Sequence, residues 1–277
     1  MTPGGAAARQ DGPGPAAGVA VVTTVRGRAE HLARQRRLLA TGPAVRHVVV
    51  GMGERPATGG VGPPTRVLTV PAPGPLPLAT ARNAGARAAL DDGAGLLVFL
   101  DVDCLPGPEL IARYAAAAAR EPGGLLCGPV TFLPEGVRPE QDLPRHTDPH
   151  PARPAPPDGA LLVEPRRELF WSLSFAVTAA AWDGTGGFCE DYAGYGAEDT
   201  DFALSCGLRL YWVGGAHAYH QHHRPARTDP ARVAEIVGNA HRFRDRWGWW
   251  PMADWLRELH GRGAVEFAPD RGVLRRR

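Results

Sequence analysis

Cysteine is scarce in this sequence, and its distribution argues against two common ways of stabilising a fold. The 277 residues include four cysteines, Cys104, Cys127, Cys189 and Cys206. No pair has the Cys-x-x-Cys spacing of a zinc or redox site, and cysteines scattered in this way do not indicate a disulfide framework. The sequence therefore predicts reduced thiols and, with them, a cytoplasmic location.

Long apolar runs and a strong charge of either sign are also missing. No stretch reaches the length of a membrane span, and Ala16–Val25 is better interpreted as a first strand than as a signal peptide. The formal net charge is +2 with 22% charged residues, so bulk electrostatics require neither a nucleic acid nor an anionic membrane. We expect no nucleic-acid partner and no stable membrane insertion.

The sequence does contain 44% apolar residues, which is enough for a proper core. After a Gly-, Pro- and Ala-rich segment over residues 1–17, which we expect to be a disordered tail, short apolar runs alternate with amphipathic segments. Strands are predicted over Val19–Val25, Val45–Val50, Thr65–Val70 and Leu96–Leu100, and helices over Ala29–Leu39, Ala79–Leu90 and from near Pro108. This alternation predicts an α/β fold with a mostly parallel central sheet flanked by helices.

The second half of the sequence has less regular patterns. Leu133–Pro165 shows no sustained periodicity and predicts a long loop, which we expect to lie over a substrate cleft. Later patterns predict strands over Phe170–Val177 and Leu208–Val213, and helices over Glu198–Cys206, Pro230–Arg246 and Pro251–His260. Tryptophans after Arg246 either pack the terminal helices onto the sheet or form a platform for a ligand or a membrane.

Two aspartates follow the buried strand Leu96–Leu100. Because side chains alternate along a strand, Asp101 and Asp103 point to the same side, at the sheet edge where ligands of α/β proteins bind. Paired carboxylates suit Mn²⁺ or Mg²⁺, whose remaining positions are often filled by the phosphates of a substrate. The alternative is that these aspartates only form a turn or cap the next helix.

A second acidic cluster lies about a hundred residues later, in Gly194–Asp201. Its glycines permit close approach of a ligand to the backbone. Glu198 and Asp199 then begin a predicted helix, whose dipole favours an ionised carboxylate that can act as a base. The alternative is that Glu198, Asp199 and Asp201 merely cap that helix.

Four segments together resemble the inverting family 2 glycosyltransferases of the GT-A fold. They are Val22–Arg28, Leu78–Gly85, Leu100–Asp103 and Gly194–Asp201. The last of these, with Gly186-Gly187-Phe188 before it, is similar to the C-terminal galactosyltransferase-type region of the β-1,4-galactosyltransferases. The resemblance covers about Gly18–His223 and implies a Rossmann-like GT-A fold with a nucleotide-sugar-binding half over 18–125, an acceptor-binding and catalytic half over 126–225, and a helical extension over 226–277.

The resemblance also implies roles for particular residues. The positions that match nucleotide contacts are Arg26, Arg28, Arg82 and Asn83. Asp101 matches an aspartate directed at the ribose or at metal-bound water, and Asp103 matches a ligand of Mn²⁺ or Mg²⁺. Tyr195 stands where the galactosyltransferases have a tryptophan that covers the sugar. Glu198 and Asp199 match the catalytic acidic pair, with Asp199 as the expected base.

The sequence departs from the galactosyltransferase pattern at Ala197 and Thr200, so a preference for galactose does not follow. Related enzymes often supply a metal-binding histidine after a late strand. The candidates here are His217, His220, His222 and His223. If the strand continues, His220 and His222 share a face, and we expect His220 to be the ligand, with His222 next.

These observations predict a metal-dependent inverting glycosyltransferase that uses a nucleotide-sugar donor, with a UDP-sugar as the first expectation. The acceptor, whether glycan, lipid, peptide or small molecule, is unknown. A sugar nucleotidyltransferase is an alternative, although Arg26-Gly27-Arg28 is a poor match for the Gly-rich phosphate loop such an enzyme needs after its first strand. The other alternative is a non-catalytic protein that binds sugar nucleotides or glycans.

Overall fold

The computed structural model describes residues 18–137, 142–223 and 229–277, so the predicted tail over residues 1–17 lies outside the described residues. The strands are β1 (Val19–Val25), β2 (Arg46–Met52), β3 (Thr65–Val70), β4 (Leu96–Leu100), β5 (Cys104–Pro106), β6 (Gly124–Cys127), β7 (Val130–Phe132), β8 (Leu161–Glu164), β9 (Ser174–Thr178), β10 (Arg209–Val213), β11 (Ala218–His220), β12 (Val265–Ala268) and β13 (Val273–Arg276). The α-helices are α1 (Ala29–Leu39), α2 (Leu78–Asp91), α3 (Leu110–Arg120), α4 (Ala179–Asp183), α5 (Glu198–Ser205), α6 (Pro230–Trp247) and α7 (Ala253–Gly261).

The central sheet has eight strands in the order β3-β2-β1-β4-β9-β6-β10-β8. Neighbours pair in parallel from β3 to β4 and between β6 and β10, whereas β9 runs antiparallel to β4 and β6, and β8 antiparallel to β10. Strand β4 is buried along its whole length. Leu97 and Phe99 pack in one apolar layer that includes α2, and Val98 packs in a second layer with Tyr114 of α3. The predicted α/β architecture is confirmed.

A second sheet has three strands in the order β5-β11-β7. Its strand β5 is the next strand after β4 in the sequence. Strand β11 pairs antiparallel with β5 and in parallel with β7, so that His220 is opposite both Cys104 and Phe132. Because β5 begins at the residue after Asp103, this pairing brings the late histidine segment to the aspartates at the end of β4. Long-range strand pairing therefore joins two motifs that are far apart in the sequence.

Two predicted boundaries in the second half are wrong. The segment expected to be one long loop contains a 3₁₀ turn, Leu143–His146, and the edge strand β8. Strand β8 forms because it pairs antiparallel with β10, and the Trp212 indole N–H of β10 donates to Glu164. Local sequence patterns do not predict this pairing, because β10 lies more than forty residues later in the sequence. The strand expected from Phe170 begins at Ser174 instead, after a 3₁₀ turn at Arg167–Leu169.

The C-terminal helices form as predicted, followed by an unpredicted β12–β13 hairpin. Helix α6 begins with Pro230 and is capped by Asp229, whose carboxylate accepts the N–H of Ala231 at 2.8 Å. Trp250 is buried in the apolar cluster between α6, α7 and the hairpin, so packing is its role. Among the described residues, no helix is both long and apolar enough to cross a membrane.

Candidate active site

One carboxylate and two imidazoles meet at the carboxyl end of β4. Asp103 Oδ2 lies 3.5 Å from His220 Nε2 and 3.2 Å from His223 Nε2. One ligand atom from each of these residues lies within 4.8 Å of the others. The Arg28 guanidinium donates to the same Asp103 oxygen at 2.9 Å. Arg28 precedes helix α1 and has a left-handed backbone conformation. Carboxylate and imidazole donors of this kind suit a divalent cation such as Mn²⁺.

The electrostatics of this group fit a metal site. Burial opposes ionisation of Asp103, but the hydrogen bond from His223 and the charges of His220 and Arg28 lower its pKa to about 2. Burial is the main cause that lowers the pKa of His220, against the effect of Asp103. Near neutral pH the group therefore offers an ionised carboxylate and a neutral imidazole, which are the protonation states that bind metal.

The structure corrects one expectation about the histidines. Strand β11 ends at His220, although the Gln221 N–H still donates to the carbonyl of Asp103, the residue before β5, at 2.7 Å. The strand therefore does not continue to His222, which is exposed and lies outside the group, whereas His223 joins it. Asp101, also considered as a ligand, instead faces Arg82.

Arg82, on α2, is the charge that joins the two acidic segments. Its guanidinium lies 3.4 Å from Asp101, 3.5 Å from Glu198 and 3.6 Å from Asp199. Burial disfavours the charged guanidinium, but the three carboxylates raise the pKa of Arg82 above its usual value. The resemblance assigned Arg82 to the nucleotide, and the structure places it between the D-x-D segment and the candidate base.

The surplus of negative charge around Arg82 changes the acids themselves. Burial raises the pKa of Asp101 to about 7, with Arg82 opposing this effect and Asp103 and Asp199 adding to it. Burial and the neighbouring Asp199 likewise raise the pKa of Glu198 to about 7, against the effect of Arg82. Arg82 therefore does not offset the combined effect of burial and neighbouring acids on these two carboxyl groups.

The acidic pair at the start of α5 divides into an accessible and a buried member. Asp199, with 27% of its side chain exposed, accepts hydrogen bonds from the Ser172 N–H at 3.0 Å and the Ser172 hydroxyl at 2.7 Å. Glu198 is 5% exposed and accepts the Gly196 N–H at 3.0 Å. Neither side chain caps α5. Asp199 is thus oriented and reachable, as a base must be.

Two residues have structural roles that sequence reasoning missed. Ser172 orients Asp199, although no motif surrounds it in the sequence. Asp201 is fully buried and accepts hydrogen bonds from Arg246 at 2.9 Å, the Trp247 indole at 2.8 Å and the Tyr192 hydroxyl at 3.1 Å. The last acid of the motif therefore fixes helix α6 against the site.

Asn83 also has a local structural role. Its side-chain amide donates to the Phe188 carbonyl and accepts the Phe188 N–H, both at 2.9 Å, and it also donates to Glu190 at 2.8 Å. It thereby holds the Gly-Gly-Phe segment, in which Gly187 has φ +77° and a Cβ would meet the Asn83 side chain. The predicted contact between Asn83 and a nucleotide stays a prediction.

The other two predicted contacts lie at the margins of this arrangement. Arg26 is exposed at the end of β1. The Tyr195 ring is nearly parallel to the Trp255 ring, with 5.8 Å between centroids, and the Arg232 guanidinium lies 5.0 Å from the Tyr195 ring centroid. The backbone N–H of Tyr195 donates to the Glu235 carboxylate at 3.1 Å. Helices α6 and α7 therefore fix the loop that leads to Glu198.

No protein-family model matches the chain. Two curated relatives are 32% identical to it over 196 residues: the validoxylamine A glucosyltransferases of Streptomyces hygroscopicus subsp. jinggangensis (strain 5008) and of Streptomyces hygroscopicus subsp. limoneus. Each match covers 60% of this chain, but 44% and 41% of the respective relative. The chain therefore spans less than half the length of the curated relatives it matches.

Among solved structures, that of S. aureus TarS 1–349 is similar to the chain, with a TM-score of 0.52 and 14% identity over 82% of this chain and 66% of that one. A longer TarS structure gives a TM-score of 0.53 with 13% identity, over 86% of this chain and 44% of that one. At this identity the likeness shows the fold, which is of the GT-A type expected from the sequence. The expected likeness to family 2 and to the β-1,4-galactosyltransferases stays a prediction.

Proposed function

We propose that this chain is a metal-dependent, inverting glycosyltransferase that moves a sugar from a nucleotide-sugar donor to an acceptor hydroxyl. The observation that carries the proposal is the junction at Arg82, which lies within ion-pair distance of both Asp101 in the D-x-D segment and Asp199 at the start of α5. Arg82 thereby connects the D-x-D segment, which also contains the candidate metal ligand Asp103, to the candidate base. The relatives named as glucosyltransferases support the same activity.

The donor side of the proposed reaction belongs to Asp103, His220 and His223, which would hold Mn²⁺ or Mg²⁺. When bound, the ion would neutralise charge that develops on the departing nucleoside diphosphate. Arg28, 2.9 Å from Asp103, adds a fixed positive charge at the same place. On this proposal the nucleotide-sugar half is residues 18–125, and the acceptor half is residues 126–225 with the helical extension 226–277 packed behind it.

The acceptor side belongs to Asp199. The hydrogen bonds from Ser172 fix its carboxylate, and its exposed part can take a proton from an acceptor hydroxyl. Glu198 is buried beside it and accepts the Gly196 N–H, so it orders the backbone there rather than contacting the acceptor. Attack from the face opposite the leaving diphosphate would invert the anomeric configuration.

The sugar nucleotidyltransferase alternative receives little support from the β1–α1 turn. The Gly27 N–H there donates to the Glu54 carboxylate, so this backbone donor is already matched to an acid of the chain. An N–H that cradles a phosphate would be directed at the ligand instead.

The decisive experiment measures release of nucleoside diphosphate from a panel of nucleotide sugars, with and without Mn²⁺. The names of the relatives make glucose the first sugar and validoxylamine A the first acceptor to test, and UDP-glucose begins the donor panel because a UDP-sugar is the first expectation from the sequence. We expect release that depends on Mn²⁺, and NMR of the product should show an inverted anomeric centre. Release of pyrophosphate from a nucleoside triphosphate and a sugar 1-phosphate would favour the nucleotidyltransferase, and binding without turnover would favour a non-catalytic protein.

A further inference from the structure

A row of aromatic side chains connects the metal group to the residues around the base, and no step proposed above uses it. We call this row, formed by Phe132, His150 and Trp171, the aromatic ledge. Ring centroids are 4.6 Å apart from His220 to Phe132, 5.5 Å from Phe132 to His150, and 5.1 Å from His150 to Trp171. Trp171 is followed directly by Ser172, which holds Asp199. The ledge therefore begins at a candidate metal ligand and ends beside the candidate base.

The fold sets the ledge in place through backbone pairing. Strand β7 pairs with β11 so that Phe132 is opposite His220. The following segment adds to β7, with a bridge between Thr131 and Pro149 and a hydrogen bond of 3.0 Å from the His150 N–H to the Val130 carbonyl. The segment predicted to lie over the substrate cleft thus contributes His150 to the ledge.

Arg153 supports the ledge from the protein interior. Its guanidinium lies 5.1 Å from the Trp171 ring centroid and 4.6 Å from that of Trp212 on β10. The residue is 4% exposed, and within the described parts of the chain its Nε, Nη1 and Nη2 atoms have no hydrogen-bond partner. A buried cation between two indole rings is stabilised by their electron-rich faces. Arg153 therefore ties Trp171 to a strand of the central sheet.

The outer side of the ledge is accessible. Phe132 is 45% exposed, and His150 and Trp171 are half-buried. Contiguous exposed aromatic surface costs solubility and commonly marks a place where a ligand binds. The rings are not coplanar, since the interplanar angle is 64° between Phe132 and His150 and 77° between His150 and Trp171. Each individual ring face can still pack well against a rigid face of C–H groups.

We propose that the aromatic ledge is the acceptor subsite and that it binds a cyclic polyhydroxylated acceptor, a saccharide or cyclitol ring. The ligand ring lies with its C–H face on the Trp171 ring, beside the nearly perpendicular His150 ring, and a hydroxyl at the ligand's edge points to Asp199. Arg153 is a positioning residue that holds Trp171 at the correct angle. This inference rests on the proposed function, since it names the acceptor class of the same site.

The test compares ring ligands with an open-chain polyol, and two of the probes, myo-inositol and sorbitol, carry equal numbers of hydroxyl groups. Saturation-transfer NMR is recorded on the full chain with methyl α-glucoside and myo-inositol as ring probes and with sorbitol as the open-chain probe. We expect transfer to the C–H groups of the ring probes and little to sorbitol. Equal transfer to all three probes would overturn the proposal, and a response to only one ring probe would identify the saccharide or the cyclitol as the source.

Variants then locate the binding. Trp171→Ala should weaken ring binding, and raise the acceptor KM, by about tenfold, whereas Trp171→Phe should restore most of both. Phe132→Ala removes an exposed ring from the same ledge and should have a smaller effect in the same direction, so that the test stands even if Trp171→Ala folds poorly. Trp249→Ala is the matched control, because Trp249 is 41% exposed and its ring contacts Phe243 of α6 at 4.8 Å between centroids rather than a ring of the ledge.

The two proposals fail in different ways. If the wild type releases no nucleoside diphosphate from any donor but binds ring probes through Trp171, the transferase proposal fails and the ring subsite stands. If the wild type transfers sugar but Trp171→Ala and Phe132→Ala leave ring binding and the acceptor KM unchanged, the ledge proposal fails and the transferase stands.

Discussion

The two ends of the candidate site have opposite charge arrangements. At the metal end, one carboxylate, Asp103, is surrounded by Arg28, His220 and His223. At the base end, one guanidinium, Arg82, is surrounded by Asp101, Glu198 and Asp199. The first arrangement stabilises negative charge, whether on the protein or on a diphosphate, and the second holds carboxylates in excess of the available positive charge.

The contrast is sharpest between two residues that are nearly adjacent in the sequence. The pKa of Asp103 is lowered to about 2 and that of Asp101 is raised to about 7, although both side chains leave the same strand end. Burial acts on both, but the histidines and Arg28 face Asp103, whereas Asp101 shares Arg82 with the acids of α5. The D-x-D segment therefore contributes one carboxylate to each end of the site.

The strongest way to break the base end is Asp199→Asn. The amide keeps the size of the side chain but cannot take a proton, so transfer to the acceptor should fall by about a thousandfold, while donor binding is retained. Acceptor-dependent turnover and a calorimetric titration with the donor measure the two effects. Asp254→Asn, at an exposed acid of α7, is the control. Near-normal turnover of Asp199→Asn would remove Asp199 from the role of base.

The corresponding change at the metal end is Asp103→Ala. It should abolish metal-dependent donor binding, and His220→Ala and His223→Ala should each weaken Mn²⁺ binding by tenfold or more. His222→Ala is a closely matched control because His222 is exposed and lies outside the group. Titration with Mn²⁺ followed by electron paramagnetic resonance gives the affinities. Unchanged donor affinity in Asp103→Ala, or an equal loss in His222→Ala, would contradict the assignment.

This contrast between the two ends also shows how far the sequence could lead. The buried strand β4 and the helix that begins at Glu198 depend on local periodicity, and each is found where it was predicted. Local patterns are sufficient there because neighbouring residues decide the conformation. Asp101 and Asp103 instead lie in a turn after β4, where Asp101 faces Arg82 and Asp103 faces the histidines.

The rest depends on contacts between distant segments. Local alternation placed His222 beside His220, but strand β11 ends at His220, and His223 rather than His222 lies near Asp103. Ser172 reaches Asp199 only because the end of the segment before β9 lies against α5, and Asn83 binds Phe188 across more than a hundred residues. No spacing in the sequence reports such pairs, since tertiary packing creates them.

A smaller effect should follow from Ser172→Ala, which sharpens the account of the base end. The variant keeps the Ser172 N–H but loses the hydroxyl that donates to Asp199 at 2.7 Å. Loss of one hydrogen bond to a charged group should lower the rate of transfer by about tenfold, with little change in donor affinity. Ser205→Ala, at an exposed serine of α5, is the control. An unchanged rate would show that Ser172 does not orient the base.

The last effect concerns stability rather than rate, and it tests how burial and the neighbouring carboxylates act on Glu198. Glu198 releases its proton near its ordinary pKa of 4.5 when unfolded, but the folded chain raises that pKa to about 7. Between these values the folded state binds more protons, so this group lowers stability as the pH rises through the window, by on the order of 2 kcal/mol. Glu198→Gln removes this titrating group. The free energy of unfolding of the variant minus that of the wild type should therefore be larger at pH 8 than at pH 5.

Urea unfolding at the two pH values measures this difference, and the contribution of Asp101 acts in the same direction in both proteins. Glu258→Gln on the surface of α7, where the glutamate pairs with Arg262, is the control and should show no such difference. If Glu198→Gln and the wild type lose stability in parallel between pH 5 and pH 8, the folded chain does not hold Glu198 in its protonated form. The three carboxylates around Arg82 would then be balanced by charge from elsewhere, and the contrast between the two ends would be weaker than their geometry indicates.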